Sequence, residues 1–101
     1  MRFTYPTALV LQALLDDRHH GFDIMAATGL PSGTVYPILR RLDAAGAVRS
    51  RWEDEATARQ EHRPARRYYD LTASGRAMAA EAGSRYRRLA PLTAAPAIGE
   101  V

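Results

Sequence analysis

The most informative segment of the chain covers residues 32–42 and reads Ser32-Gly33-Thr34-Val35-Tyr36-Pro37-Ile38-Leu39-Arg40-Arg41-Leu42. Its four aliphatic residues recur at spacings of three and four, the period of one buried stripe along an α-helix. Ser32 is a favourable N-cap, and Gly46 is a favourable C-terminal stop. Pro37 falls near the first turn, where its missing N–H costs least. These signals predict a helix over residues 33–45.

A basic hairpin is predicted directly after this helix. Residues 48–52 alternate apolar with basic or polar side chains, and this period of two is typical of a β-strand. Residues 66–71 are rich in tyrosine and form the second strand. The polar residues 53–65 between them are expected to form a long flexible loop. We therefore expect an antiparallel hairpin with an extended tip, acidic where the loop begins and basic toward its end.

Three further helices complete the predicted fold. Residues 5–16 are apolar nearly all round, which indicates a helix buried on two sides, either within one core or against a partner subunit. Residues 21–28 form a short helix that Gly29 stops. Thr72 can cap a last helix over residues 73–90. The small residues and prolines of 91–101 predict a flexible tail.

The composition limits the class of protein. The chain has 101 residues, enough for one small domain, and 47% of them are hydrophobic, which argues against disorder. The absence of cysteine excludes disulfides and thiolate zinc sites, and it favours a reducing cytoplasm. No apolar run is long enough to span a membrane. The net charge of +3 is weak evidence, but all 14 basic residues are arginine, which can bind phosphate or guanine with two parallel hydrogen bonds.

The order of these elements predicts a mainly α fold with a small β-hairpin, namely a winged helix-turn-helix. In such a fold the third helix enters the major groove, and the hairpin tip lies on phosphate or in the neighbouring minor groove. We expect a DNA-binding domain over residues 1–72 whose partner is double-stranded DNA. The alternative is that the basic side chains only form a solvated face. The predicted contacts come from the third helix and the hairpin: Ser32, Thr34, Tyr36, Arg40, Arg41, Arg63 and Arg66.

Other chemistry finds little support. His19 and His20 are adjacent and point apart on most backbones, and no third ligand is spaced to join them, so no metal site is expected. We see no nucleophile–base pair, phosphate-binding glycine loop or carboxylate dyad, and so expect no enzyme and no cofactor. Trp52 has two interpretations that stay open here: it packs on the core or rim, or it stacks on a ligand.

The segments Gly21-Phe22-Asp23-Ile24, residues 32–42, Gly46, Arg51-Trp52-Glu53 and Arg66-Arg67-Tyr68-Tyr69-Asp70-Leu71-Thr72 with Gly75 together resemble the PadR family of transcriptional regulators. The resemblance covers roughly residues 5 to 90. It implies a homodimeric winged-helix repressor that binds a dyad-symmetric, palindromic operator. The chain is similar to the smaller PadR subgroup, which has one short C-terminal helix. The identity of any small-molecule or protein effector is unknown.

The resemblance also implies that the C-terminal helix, residues 73–90, packs across a dimer against the partner's first helix. The residues assigned to that interface are Leu11, Leu15, Met78, Ala82, Tyr86 and Leu89. The competing class of function is a winged-helix module that binds proteins and has no DNA target. A basic face on the third helix and hairpin favours DNA over that alternative.

Overall fold

The computed structural model describes residues 4–86, which form helices packed against one two-stranded hairpin. The elements in chain order are α1 (Tyr5–Leu15), α2 (Gly21–Thr28), α3 (Ser32–Ala44), β1 (Val48–Trp52), α4 (Glu55–Gln60), β2 (Arg67–Leu71) and α5 (Ala73–Arg85). The predicted mainly α winged helix is confirmed. Leu89, the last turn predicted for residues 73–90 and the predicted tail lie outside the described residues.

Helix α3 begins one residue earlier than the sequence predicts. Pro31 is the N-cap and provides no side-chain cap, so the prediction that Ser32 caps the helix is wrong, and Ser32 is its first residue. Pro37 is the sixth helical residue and lies beyond the first turn. At the other end Gly46 adopts a left-handed φ of 75°, and the Ala47 N–H donates to the Leu42 carbonyl at 2.8 Å. This is a Schellman stop, which confirms the role predicted for Gly46.

The hairpin, which we call the wing (residues 48–71), pairs Val48 with Leu71 and Trp52 with Arg67. Its connection is not the long flexible loop that the sequence predicts. Residues 55–60 form helix α4, because they are good helix formers, the Glu55–Arg59 pair bridges one turn, and Ala58 is buried at 3% exposure. The wing therefore carries an ordered helical turn next to its strands.

A third extended segment joins the sheet where the sequence predicts only a polar break. The Tyr69 N–H donates to the His19 carbonyl at 2.7 Å, and His20 forms a β-bridge with Tyr68. His19 and His20 lie in a polar segment without periodicity, so the sequence gives no signal for this pairing. The pairing ties the connection between α1 and α2 to the edge of β2.

The core is centred on α1, which is buried by the rest of the same chain. Val10 and Leu11 are fully buried, and Ala82 of α5 is 1% exposed. Leu11 and Ala82 thus belong to the core of one chain and present no surface to a second copy, contrary to their assignment to a dimer interface. Leu15 is 38% exposed, and Met78 and Tyr86 are partly exposed. Among residues 4–86 no helix is long and apolar enough to cross a membrane.

Gly75→Ala should destabilise the fold, because a Cβ at this position would overlap the backbone carbonyl of Ala47 and push α5 away from β1. We expect a loss of about 1–3 kcal/mol in the free energy of unfolding, typical of overpacking. Gly83→Ala is the matched control in the same helix, since a Cβ there meets nothing within 4 Å. It should stabilise the protein by up to about 1 kcal/mol. Urea unfolding measures both, and equal effects would contradict the close approach.

Candidate nucleic-acid interface

The polar residues of α3 lie on its outer surface, away from the buried apolar stripe. Ser32, Gly33, Arg40 and Arg41 are exposed, whereas Thr34 is half-buried. The helical period divides them between two flanks, with Tyr36, Arg40 and Asp43 on one side and Thr34 and Arg41 on the other. No side chain caps the start of the helix, so its first backbone N–H groups face outward, where an anion is stabilised.

The wing lies beside the Tyr36–Arg40–Asp43 flank of α3. Burial raises the pKa of Tyr69 on β2, and the charges that modulate this pKa include Arg67, Asp43 and Arg40. The same face of the hairpin continues outward to Trp52 and Arg67, which are neighbours across the strands. The helix and the wing therefore form one continuous surface on this side of the molecule.

Trp52 does not pack in the core, because 66% of its surface is exposed. The Arg67 guanidinium lies over its ring, 5.5 Å from the centroid, and donates to the Ser50 hydroxyl at 2.8 Å. Of the two interpretations of Trp52, the structure thus excludes core packing. Arg67 is the residue that sequence reasoning missed, and the pairing register across the hairpin is the signal that identifies it.

Glu53 is the electrostatic centre of the wing. Its carboxylate accepts hydrogen bonds from both terminal nitrogens of Arg63, one of them at 2.8 Å, from the Arg66 backbone N–H at 3.2 Å and from the Tyr68 hydroxyl at 3.4 Å. The hydrogen bond from Arg63 is the largest cause that lowers the pKa of Glu53 to about 2. The carboxylate therefore binds the segment before β2 to the end of β1.

This arrangement directs Arg63 away from the surface on which the sequence places it. The Arg63 side chain is only 22% exposed, and its guanidinium is bound to Glu53. Residues 54–62, which include helix α4, lie between the two, so the sequence does not reveal the pairing. The DNA contact of Arg63 stays a prediction, and its visible role is to hold the wing together.

The guanidinium of Arg66, unlike that of Arg63, is not bound to Glu53. Its side chain is half-buried, and within residues 4–86 its guanidinium has no hydrogen-bond or ion-pair partner; its backbone N–H alone binds Glu53. Arg66 lines a cleft of about 250 Å³ together with Tyr36 and residues at the start of α2. The hydroxyl of Tyr36 turns toward Gly21, where an added Cβ would overlap it. Tyr36 thus lies on the same flank of α3 as Arg40, and its hydroxyl points toward the start of α2.

The two adjacent histidines contact different groups of the chain. The His19 Nδ1 atom lies 3.0 Å from the Tyr69 carbonyl oxygen and 3.3 Å from an oxygen of Asp70. The His20 ring packs edge-on against Tyr68 at 5.7 Å. Burial, followed by the positive charge of Arg66, lowers the pKa of His20. Among residues 4–86 no three His, Asp or Glu side chains converge as a metal site would require.

Glu53→Gln should weaken the wing in a pH-dependent way. The pKa of the Glu53 carboxyl is 4.5 when unperturbed and about 2 in the folded protein. Its contribution to stability is therefore complete above pH 4.5 and is lost as the pH falls from 4.5 toward 2. We expect the melting temperature of the variant to lie below that of the parent at pH 7, and the gap to close in this acidic range.

Glu55→Gln is the control for this measurement, because Glu55 is 83% exposed and its ion pair within residues 4–86 is the one with Arg59. Its melting temperature should follow that of the parent at every pH. A constant gap between the parent and Glu53→Gln down to pH 2 would contradict the proposed pKa shift.

Comparison with known proteins agrees with this geometry. The model of the Transcriptional regulator PadR-like family matches residues 10–81. A PadR family transcription regulator from hypervirulent Clostridium difficile R20291 superposes with a TM-score of 0.71 at 21% identity, over 88% of this chain and 94% of that one. BpsR of Bordetella bronchiseptica, studied for the regulation of its DNA binding by 6-hydroxynicotinic acid, superposes with a TM-score of 0.70 at 26% identity, over 91% of this chain and 61% of that one. No curated protein gives a significant match.

The family match is not limited to one element. Residues 10–81 include α2, α3, the whole wing and most of α1 and α5. Both surfaces described above, the outer face of α3 and the wing beside it, fall inside the matched region. The chain therefore belongs to the PadR-like family of transcriptional regulators.

Proposed function

We propose that this protein is a homodimeric repressor that binds double-stranded DNA at a palindromic operator in the cytoplasm. The observation that carries the proposal is the continuous surface formed by one flank of α3 and the wing, where Arg40, Arg67 and Trp52 are exposed. Its basic groups are arginines, which bind guanine edges and phosphates with paired hydrogen bonds. A recognition helix beside a basic hairpin is the geometry of winged-helix readers.

The exposed groups divide into two roles. Thr34 and Arg40 reach the base edges from α3, because they lie on either side of its outermost row. Ser32, the uncapped backbone at the start of α3 and Arg41 hold phosphate, and Arg66 holds phosphate from the wing. Arg63 supports the wing through Glu53. In a two-fold dimer the two α3 helices would lie roughly 34 Å apart, one turn of DNA.

Arg40→Ala should weaken binding to a mixed-sequence duplex, because the substitution removes a cation, and its phosphate or base contact, from the interface. We expect the slope of log K against log salt to fall by about one if Arg40 contacts phosphate, and a loss of sequence preference if it contacts a base. Arg76→Ala is the control, since Arg76 is also exposed but lies on α5. Fluorescence anisotropy over a range of NaCl concentrations measures both.

The competing function, a protein-binding winged helix, gives a different result in the same titration. If the parent does not bind duplex DNA even at low salt, DNA recognition is excluded. If Arg40→Ala and Arg76→Ala both bind as the parent does, α3 is not the reading helix. The DNA upstream of the protein's own gene is the first place to search for an inverted repeat as operator.

We further propose that the dimer forms where the ends of α1 and α5 meet. Tyr5 is 50% and Leu15 38% exposed, and the ring of Tyr86 packs edge-on against Tyr5 at 6.0 Å. These side chains place apolar surface on the outside of α1, the helix that the family resemblance assigns to the interface. Met78 on α5 is partly exposed and belongs to the same proposed interface.

Leu15→Glu should shift the protein from dimer toward monomer, because a charge at an apolar interface is left without a partner. Sedimentation velocity at micromolar concentration measures the shift. Phe22→Glu is a matched control, since Phe22 is 71% exposed on α2, outside the proposed interface. A parent that is already monomeric would refute the dimer, and an unchanged Leu15→Glu dimer would move the interface elsewhere.

A further inference from the structure

A cleft of about 250 Å³ lies where three elements converge: the start of α2, the first half of α3 and the return segment of the wing. Phe22 and Pro64 form its apolar sides, and Tyr36, His20 and Arg66 supply its polar atoms. The cleft lies between α2, the first helix of the helix-turn-helix, and the wing.

The polar groups of the cleft are those that the protein itself leaves unused. Within residues 4–86 neither the Arg66 guanidinium nor the Tyr36 hydroxyl has a hydrogen-bond partner. The Nδ1 atom of His20 is buried and also lacks a partner in this part of the chain. Buried polar groups are almost always satisfied, and of these three only the Nδ1 atom of His20 is buried, while Tyr36 and Arg66 are half-buried. Three unused polar groups around one cleft indicate that a bound group occupies it.

The charges around the cleft indicate that the bound group is an anion. The two nearby acids are already neutralised, Asp23 by Arg18 at 3.1 Å and Glu53 by Arg63. Arg66 is thus the uncompensated charge of the cleft, and α2 begins beside it without a side-chain cap. A cation would repel Arg66, and a neutral amide would leave its charge uncompensated, whereas an oxyanion both accepts its hydrogen bonds and compensates its charge.

We propose that this cleft holds one phosphate of the DNA backbone, with the Arg66 guanidinium and the Tyr36 hydroxyl donating to its non-bridging oxygens. The proposal rests on the DNA-binding function proposed above and adds a specific anchor to it. The anchor clamps α2, α3 and the wing to a single phosphodiester, which fixes the position of α3 along the groove. Tyr36 then acts in positioning and not in reading bases.

The test compares Arg66→Gln, Tyr36→Phe and the double variant in duplex titrations over a range of NaCl concentrations. Arg66→Gln should weaken binding about tenfold and lower the salt slope by about one, while Arg66→Lys should keep the slope. Tyr36→Phe should weaken binding a few-fold at an unchanged slope, because it removes a neutral donor. The double variant should lose less than the product of the single losses, since both groups hold one phosphate. Arg76→Gln on α5 is the control.

Thermal unfolding in inorganic phosphate separates the two sources of the anion. A DNA-only site predicts little stabilisation of the parent by free phosphate and a clear loss of duplex binding in Arg66→Gln. Stabilisation by free phosphate that Arg66→Gln abolishes, with duplex binding unchanged, would overturn the phosphodiester assignment in favour of a small oxyanion. Duplex binding by the parent with no change in Arg66→Gln or Tyr36→Phe would overturn the cleft while leaving DNA binding intact. No duplex binding by the parent would instead remove the proposed function itself.

Discussion

The structure depends on a junction at the carbonyl groups of Gly46 and Ala47, where α3 ends and β1 begins. The Gly46 carbonyl accepts hydrogen bonds from the hydroxyls of Thr72 at 2.6 Å and Ser74 at 3.1 Å, and the Ala47 carbonyl accepts the Thr72 N–H at 2.9 Å. The Thr72 hydroxyl oxygen also accepts the Gly75 N–H, so one residue closes β2 and begins α5. The left-handed turn at Gly46 makes this meeting geometrically possible.

This junction couples the two surfaces on which the proposed function relies. Helix α3 leaves it in one direction and α5 in another, and the close approach at Gly75 leaves no room for sliding between α5 and β1. If α5 joins two copies, the angle at this junction determines how the two α3 helices are placed relative to each other. The spacing of the operator half-sites would then be a property of a backbone turn as much as of the dimer contacts themselves.

The sequence was sufficient for features that are local in the chain. The stripe on α3, the stop at Gly46, the cap at Thr72 and the strand at residues 48–52 all follow from spacing and side-chain type within a few residues. It was insufficient where distant segments meet. The bond between Arg63 and Glu53, the addition of His19 and His20 to the sheet and the burial of Leu11 by its own chain all depend on tertiary packing. Helix α4 was missed because one buried alanine in a polar segment carries almost no periodic signal.

Arg63 and Arg66 show why charge counts alone do not locate a binding surface. Both lie on the return segment of the wing, three residues apart, and both line the same cleft. Glu53 binds the guanidinium of one and only the backbone N–H of the other. The pKa of the Glu53 carboxyl is lowered to about 2, so the group is ionised at neutral pH and pairs there with Arg63. The same carboxylate that pairs with one cation of the return segment holds the backbone of the other. Of these two residues, it is therefore Arg66 whose guanidinium has no partner within residues 4–86.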